Sequence, residues 1–421
     1  MSFISAIGQG LTISAARTTS VDPVSHSGGG LFGGMFRRPT AGVPVNNDTA
    51  LTYSAVFDSV RLISEHIAMM PHRVYVSDGE KRSVASDHAV DRLLYRQANP
   101  ETNSFDFKQS LVASALLRGN GLAEIEAARD GSPIALWRID WDRVNPVRDS
   151  RGRLLYEISN NGQANSYLTP DKALHLKGFS VDGVTGLSVV EYAKQTISLG
   201  LAQEQFGAAF FGNGARPGGV IEWYENASTP DGWGNDAAKN LKKSWNKNHG
   251  GSARSGGVEV LEPGQRYKTI AIAPNEAQFL ESRKFSVTDI ARWFGVPPHK
   301  LADLERSINA NIEAQNIEYV VDCLARWAVR FEQEINAKLL SGNYYNKLNF
   351  NSLLRGDLKT RQEFYKTMMD RGVYSINEVR AMEDANPVEY GDLRLVQMNM
   401  TSLELAHKNG STAMRKSGEQ Q

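Results

Sequence analysis

Apolar residues at Val56, Val60, Ile63, Ile67 and Met70 recur every three or four positions, the stripe of a helix that buries one face. Pro71 ends it, because proline has no amide hydrogen to continue the ladder. His72 to Val76 then reads as a strand turning at Asp78-Gly79. A short helix spans about Val90 to Gln97, and Ser104 stands where it would cap a longer one through Leu111, Ala115 and Leu116 that stops at Gly119. Past that point the pattern shortens. Ile134 to Ile139, Val144 to Arg148 and Leu154 to Ile158 read as strands, the last two joined by the turn Asp149-Ser150-Arg151-Gly152. Residues 49–180 are thus expected to form one α+β domain.

From Gly186 to Gly212 the 27 residues contain no proline and three internal charges, which predicts a rod of about 40 Å that is apolar on more than one face. Phe206, Phe210 and Phe211 add to an apolar surface wider than one neighbouring helix covers. Two readings stand: packing between subunits, or the central helix of a large monomeric core. Val220 to Tyr224 is expected as a strand, Asp231 to Asn248 as a basic helix, and Val258 to Leu261 and Tyr267 to Ile272 as strands around Pro263-Gly264. Asn275 is placed to cap a second long helix through Val287, Ile290 and Phe294, ended by Gly295-Val296-Pro297-Pro298. A third carries the seam Val320, Leu324, Trp327, Phe331, Ile335 and Leu339. A strand near Leu348 to Phe350 and two helices follow, the last opened by the capping box Ser375-Ile376-Asn377-Glu378.

Residues 1 to about 48 are rich in glycine and small polar residues and bury too little apolar area to offset the entropy of ordering, so a mobile arm is expected there. The stretch from Ala406 to Gln421 reads likewise. No basic residue precedes Phe3 to Ile13, so a secretory leader is not expected, and no apolar run is long enough to span a membrane. Lysine plus arginine and aspartate plus glutamate both number 47, and this zero balance argues against tight, salt-driven binding of nucleic acid. The single cysteine, Cys323, cannot form an internal disulfide; one turn from Tyr319 and Trp327, it reads as a packing residue.

The chemistry of an enzyme is missing from the pattern. There is no phosphate-cradling loop, no histidine pair at metal-ligand spacing, and Gly186-Leu187-Ser188 lacks the second glycine of a nucleophile elbow. Gly212-Asn213-Gly214 runs into Arg216-Pro217, which breaks a dinucleotide fingerprint. No catalytic residue, metal or cofactor is expected.

Several strings resemble the portal proteins of tailed double-stranded DNA bacteriophages, in the lambdoid-type branch with long non-contractile tails. Ser54-Ala55-Val56 through Met70-Pro71-His72-Arg73-Val74-Tyr75 is similar to that family's opening helix and strand, and Ser104-Phe105-Asp106-Phe107 through Leu117-Arg118-Gly119-Asn120-Gly121 to its second helix block. Gly186-Leu187-Ser188 through Phe210-Phe211-Gly212-Asn213-Gly214-Ala215-Arg216-Pro217-Gly218-Gly219 resembles its first stem helix and exit, and Ile290-Ala291-Arg292-Trp293-Phe294-Gly295-Val296-Pro297-Pro298 its second. Asn377-Glu378-Val379-Arg380 and Pro387 fit the last helix and its turn. The family often carries a proline in the long third helix near the position of Arg326; here Leu324-Ala325-Arg326-Trp327 continues without one, so no proline kink is expected.

The resemblance implies an α+β portal fold assembled as a ring, usually of twelve subunits, at one capsid vertex, through whose axis the genome is packaged and ejected. It divides the chain into an arm (1–48), a wing (49–185), a stem helix (186–215), a clip (216–272), a second stem helix (273–299) and a tunnel loop (300–311). A long wing helix and return strand (312–357), a helical crown (358–400) and a tail (401–421) follow. Implied partners are further copies of the chain, double-stranded DNA, the terminase large subunit, a head-tail adaptor, the major capsid protein and scaffold. The implied location is the virion vertex, after assembly in the host cytoplasm.

Local charge agrees with a channel. Between Asp236 and Lys268 seven basic residues, among them Lys239, Lys242, Lys243 and Lys247, face three acids, so the clip is either a contact for DNA or the motor or an ordinary soluble surface. In the tunnel-loop segment Arg306, Ser307, Asn309 and Asn311 either line the narrowest part of a ring or form a plain helix connection. Two further functions compete with the conduit: a DNA-processing, nuclease-like enzyme, and a capsid adaptor that binds only proteins.

Overall fold

The computed structural model describes residues 22–23, 39–79, 81–160, 162–212, 219–223, 239, 243, 265–269, 276–301, 312–350, 358–383 and 385–394. The chain divides into two compact units, residues 1–350 and 351–421.

In the first unit, helix α1 (Asn47–Leu51) leads into α2 (Ser54–Met69), whose predicted stripe is wholly buried: Val56, Ile63, Ile67 and Met70 are fully covered and Val60 nearly so. After Pro71 the chain turns into β2 (His72–Asp78) and β3 (Lys81–Val84). Helix α3 (Ala89–Tyr95) is tied to β2 by the buried carboxylate of Asp91, which accepts the Val74 amide at 2.8 Å and Arg73 Nε at 3.0 Å. Helix α4 (Ser104–Arg118) is capped by Asn103, not by Ser104: Asn103 Oδ1 accepts the Asp106 amide, while the Ser104 hydroxyl donates to the Leu94 carbonyl and pins α4 to α3. Gly119 ends α4 in the left-handed region, at φ 77°.

Beyond it the chain forms β4 (Asn120–Ala127), β5 (Pro133–Ile139), β6 (Val144–Arg148), β7 (Leu154–Asn160), β8 (Gln163–Leu168) and β9 (Ala173–Lys177). All pairings are antiparallel: β5-β4-β9 make one sheet, and β6-β7-β8 a second, to whose edge the two-residue strand β1 (Asp22–Pro23) adds. Leu122, Tyr156, Ile158, Leu168 and Ala173 form the core between these sheets. Strands β3, β4, β8 and β9 were not expected, because Glu124, Glu126 and the run Gln163 to Tyr167 give no strong apolar alternation.

Helix α5 (Val189–Tyr192) and helix α6 (Lys194–Gly212) replace the single rod expected from Gly186. The helix does not start at Gly186: the Gly186 carbonyl, which a helix would give to the amide four residues on, accepts Asn120 Nδ2, and Ser188, with extended backbone, caps the first turn by accepting from the Glu191 amide. The remaining rod, 19 residues, is about 28 Å long. Strands β10 (Gly219–Trp223) and β11 (Gln265–Thr269) pair antiparallel, and helix α7 (Glu276–Phe294) returns alongside α6. The expected cap Asn275, the strand Val258 to Leu261 and most of the basic helix lie outside the described residues.

The third long helix is α8 (Ile312–Glu318), a π turn (Tyr319–Leu324) and α9 (Ala325–Leu339). Without any proline, the ladder widens: the Ala325 amide reaches the Val320 carbonyl, five residues back. The π turn brings Tyr319 over α2, where its hydroxyl lies 2.9 Å from His66 Nδ1. The whole predicted seam, Val320, Leu324, Trp327, Phe331, Ile335 and Leu339, is buried. Strand β12 (Tyr344–Leu348) ends where the sequence pattern placed its start, and joins β2 in register Leu348↔His72. Helix α9 anchors it: Glu332 Oε1 accepts the Leu348 amide at 2.7 Å, and Asn336 Oδ1 accepts the Asn346 amide at 2.9 Å.

The arm ends earlier than residue 48. Val45 is buried, the Ser198 hydroxyl donates to the Val43 carbonyl at 2.8 Å, and the Thr40 amide and hydroxyl both donate to Gln195 Oε1. The hydrogen-bond partners Gln195 and Ser198 lie on α6, out of sight of local composition.

One buried charge stands out. Lys108 on α4 is almost fully covered, and its one hydrogen bond among the described residues is a 3.4 Å contact with the Met70 carbonyl. Burial lowers its ammonium to about 8. Lys108→Met should raise stability to urea near pH 7 by about 2 kcal/mol, since an uncompensated buried charge is replaced by an apolar chain of similar shape. The gain should shrink from pH 8 to 10.5, where the native lysine is neutral but the unfolded one still binds its proton. A variant no more stable than the parent would show that the charge is solvated.

The second unit holds α10 (Leu358–Asp370) and α11 (Ile376–Met382). The predicted capping box is formed: Ser375 Oγ accepts the Glu378 amide and Glu378 Oε2 accepts the Ser375 amide at 2.7 Å. Arg361 and Tyr365 on α10 both reach Glu383. Asn377 folds the following turn onto α11, accepting the Val388 amide and donating to Val388 and Asp392.

Candidate functional site

Helices α6 and α7 are joined by a polar clasp in their middle. Gln203 Nε2 donates to Ser282 Oγ at 2.7 Å, and the Ser286 hydroxyl donates to Gln203 Oε1 at 2.9 Å. Arg283 lies 3.8 Å from Glu204, and the Trp293 indole N–H donates to Thr196 Oγ1 at 3.4 Å. On the inner side Gly200 lets the ring of Tyr53 lie against the helix: a Cβ there would fall 2.6 Å from the ring. Burial raises the Tyr53 hydroxyl to about 12. Outward, the pair leaves Leu199 and Phe206 on α6 and Phe285 and Trp293 on α7 exposed, with Phe206 49% accessible. Seven residues apart, Leu199 and Phe206 share one helix face, so the outer surface carries an apolar stripe.

The lower end of this pair is locked to the α+β body where three glycines meet. The Gly178 amide donates to the Gly119 carbonyl at 2.7 Å, and a Cβ on Gly186 would lie 2.0 Å from that same carbonyl. Asn120 holds the junction: its Oδ1 accepts the Gly186 amide at 2.7 Å, and its Nδ2 donates to the carbonyls of Gly186 and Arg118. Ser188 Oγ donates to the Leu117 carbonyl at 2.6 Å. The ring of His175, stacked on Trp141 at 5.1 Å, bridges Asn120 Oδ1 and the Tyr156 hydroxyl through its two nitrogens. Burial depresses His175 to about 3, so it is neutral. The sequence marks Asn120 only as part of a family string and His175 not at all; the available signal is the glycines Gly119 and Gly186, in two segments about 66 residues apart.

Of the residues the sequence singled out, Phe206 is on the exposed stripe, and Phe210 and Phe211 belong to the last turn of α6, their side chains outside the described residues. Lys239 and Lys243 are helical and exposed; Lys242 and Lys247 lie outside the described residues, as do Arg306, Ser307, Asn309 and Asn311. On the β10–β11 hairpin Lys268 pairs with Glu222 at 3.3 Å and Arg266 is exposed. Cys323 is buried, and burial pushes its thiol up to about 12, far from a reactive thiolate. Among the described residues no three His, Cys, Asp or Glu side chains converge where a metal ion could sit, and no helix is long and apolar enough to cross a membrane.

Comparison with known proteins gives a consistent result. A family model described as phage portal protein matches residues 54–384. A probable portal protein of Streptomyces phage phiC31 is 32% identical over 370 residues, covering 83% of this chain and 78% of the relative. The portal protein of Enterobacteria phage HK97 is 27% identical over 361 residues, covering 84% and 83%. A chain in the neck of a native gene transfer agent particle, solved with C12 symmetry, shares the fold at 22% identity and a TM-score of 0.54, over 81% of this chain and 92% of that one. The glycine-locked helix pair on an α+β body, and a match spanning most of the sequence, place this chain in the phage portal protein family.

Proposed function

We propose that the chain is one subunit of a closed ring of about twelve copies, a conduit at one capsid vertex through which double-stranded DNA is packaged and later ejected. One observation carries the reading: α6 and α7 satisfy each other with a polar clasp, yet keep Leu199, Phe206, Phe285 and Trp293 in solvent. An apolar stripe of that length on two antiparallel rods is stable when neighbouring copies cover it. Zero net charge fits a wall that a duplex slides past, because each fixed phosphate contact would have to break at every step.

On this reading residues 186–215 and 273–299 are the stem, residues 49–185 with β12 the wing, and 358–400 the crown. The clip, 216–272, faces the terminase large subunit and then the head-tail adaptor, with Lys239 and Lys243 among its exposed cations. Arg306, Ser307, Asn309 and Asn311 follow the stem and would be repeated around the axis at the narrowest point. The major capsid protein and scaffold contact the ring from the shell, and assembly takes place in the host cytoplasm. The chain has no catalytic role; a separate ATPase drives packaging.

Electron micrographs of the purified protein test this. Closed rings with an axial hole are expected, and a lone subunit both in solution and in particles would overturn the proposal. Phe206→Asp places a charge in the stripe and should convert rings to monomers or aggregates while far-ultraviolet circular dichroism stays unchanged; intact rings would show that the stripe is not an interface. Magnesium-dependent cleavage of plasmid DNA by the pure protein would instead favour a nuclease.

A further inference from the structure

Among the described residues of the first unit the most exposed large apolar side chains are Val181, at 71%, and Phe179, at 68%, and both sit on one loop just ahead of the glycine junction. That loop is rigid. The Asp182 carboxylate accepts the amides of Val184 and Thr185 and the hydroxyls of Ser180 and Thr185, and these bonds hold it at about 2. The Ser180 hydroxyl accepts the Gly183 amide, Lys177 Nζ donates to the Gly183 carbonyl, and the Leu187 amide fixes the Phe179 carbonyl. Ser180 and Asp182 turn their polar groups onto the loop's own backbone, and the alternate residues Phe179 and Val181 are held out. A prearranged apolar projection loses little entropy on docking, so it is well suited to bind.

The same chain carries a matching depression. A cavity of about 500 Å³ opens where the start of α2 meets α7 and the turn ending at Leu301; Leu51, Ala55, Phe57, Val287 and Leu301 give it apolar walls, with Thr52, Ser54 and Asp58 along the α2 side. Lys108 at the start of α4 touches Met70 just beyond α2, and Gln109 reaches Glu65, so α2 and α4 run antiparallel. The end of α4 at Gly119, beside which the loop stands, is therefore level with the start of α2 at the cavity. The loop flanks α4 and β9, whereas the cavity flanks α2 and α7. Projection and depression are thus two separate patches at one end of the α2–α4 pair, as a head-to-tail contact between copies requires.

We infer that in the ring Phe179 and Val181 of each subunit seat in the cavity between α2 and α7 of the next copy. This rests on the ring reading above. The test is a double variant, Val181→Cys with Ser54→Cys; both positions are exposed, and Cys323 is buried and so stays out of the exchange. After mild oxidation, denaturing electrophoresis without reductant should give a ladder climbing to the full ring, collapsing to monomer with reductant. Neither single variant should give it. Rings that remain intact in micrographs yet yield no ladder would overturn the inference and leave the ring standing. Dimers from Val181→Cys alone would mean that loops meet loops, and a bond from Val181→Cys to a different protein in assembled particles would assign the loop to the shell; either also overturns it. Absence of rings altogether would overturn the ring reading itself.

Discussion

Gly186→Ala is expected to cost about 3 kcal/mol or more, enough to deplete soluble, ring-forming protein. Its Cβ would lie 2.0 Å from the Gly119 carbonyl and 2.8 Å from the Gly178 amide, both main-chain atoms. Neither can swing aside as a side chain would, because the Gly119 carbonyl already accepts the Gly178 amide and the Gly186 amide is held by Asn120. Relief would require parting β4 from β9, or breaking the two hydrogen bonds that Asn120 makes with Gly186. Gly183→Ala supplies the comparison. Gly183, unlike Gly186, has a left-handed backbone, at φ 73°, but a Cβ there meets nothing within 4 Å, so its cost should be only the backbone strain, about 1 kcal/mol. Urea denaturation of the two variants beside the parent measures the difference. Equal midpoints would mean that the three glycine backbones are not in contact.

Acid should weaken the fold steeply well above the range where carboxylates titrate. His72 and His175 are both buried and both held near 3, against about 6.5 when unfolded. Burial is the leading cause in each case; for His72 the hydrogen bond to Asn346 opposes it and nearby Lys108 adds to it. The sign follows from proton counting. Above 6.5 neither state binds the proton, and between 6.5 and 3 only the unfolded chain does, so stability is full above 6.5 and falls as pH drops. Each ring contributes about 1.4 kcal/mol per pH unit, so the pair should lose about 4 kcal/mol between pH 7 and 5. His72→Gln keeps an N–H for Asn346 Oδ1 and removes the titration, so it should roughly halve that slope in urea midpoints followed against pH. An unchanged slope would show that His72 accepts its proton in the folded state.

The helices that bury one stripe were legible residue by residue. Val56 to Met70 and Val320 to Leu339 came out buried as spaced, because a 3.6-residue period sorts apolar from polar positions within a single element. Proline and glycine stops were equally local: Pro71 ends α2 and Gly119 ends α4. The family strings were visible too, and the matched region, 54–384, covers all of them but Pro387.

What stayed hidden was decided by contacts between distant segments. No local pattern says that Asn120 holds Gly186, that His175 bridges Asn120 and Tyr156, or that the Val43 carbonyl accepts Ser198 on α6. The rod does not begin at Gly186, whose carbonyl is taken by Asn120, 66 residues away, and the third helix widened at Tyr319, where the side chain reaches His66 on another helix. Sequence alone determined where helices run, where they stop and which face is apolar, since those follow from backbone sterics and period. Tertiary structure alone decided which backbones touch with no room for a Cβ, which polar groups are dried out, and which apolar faces stay open for a neighbour. Burial and close approach are properties of segments brought together, and no single segment encodes them.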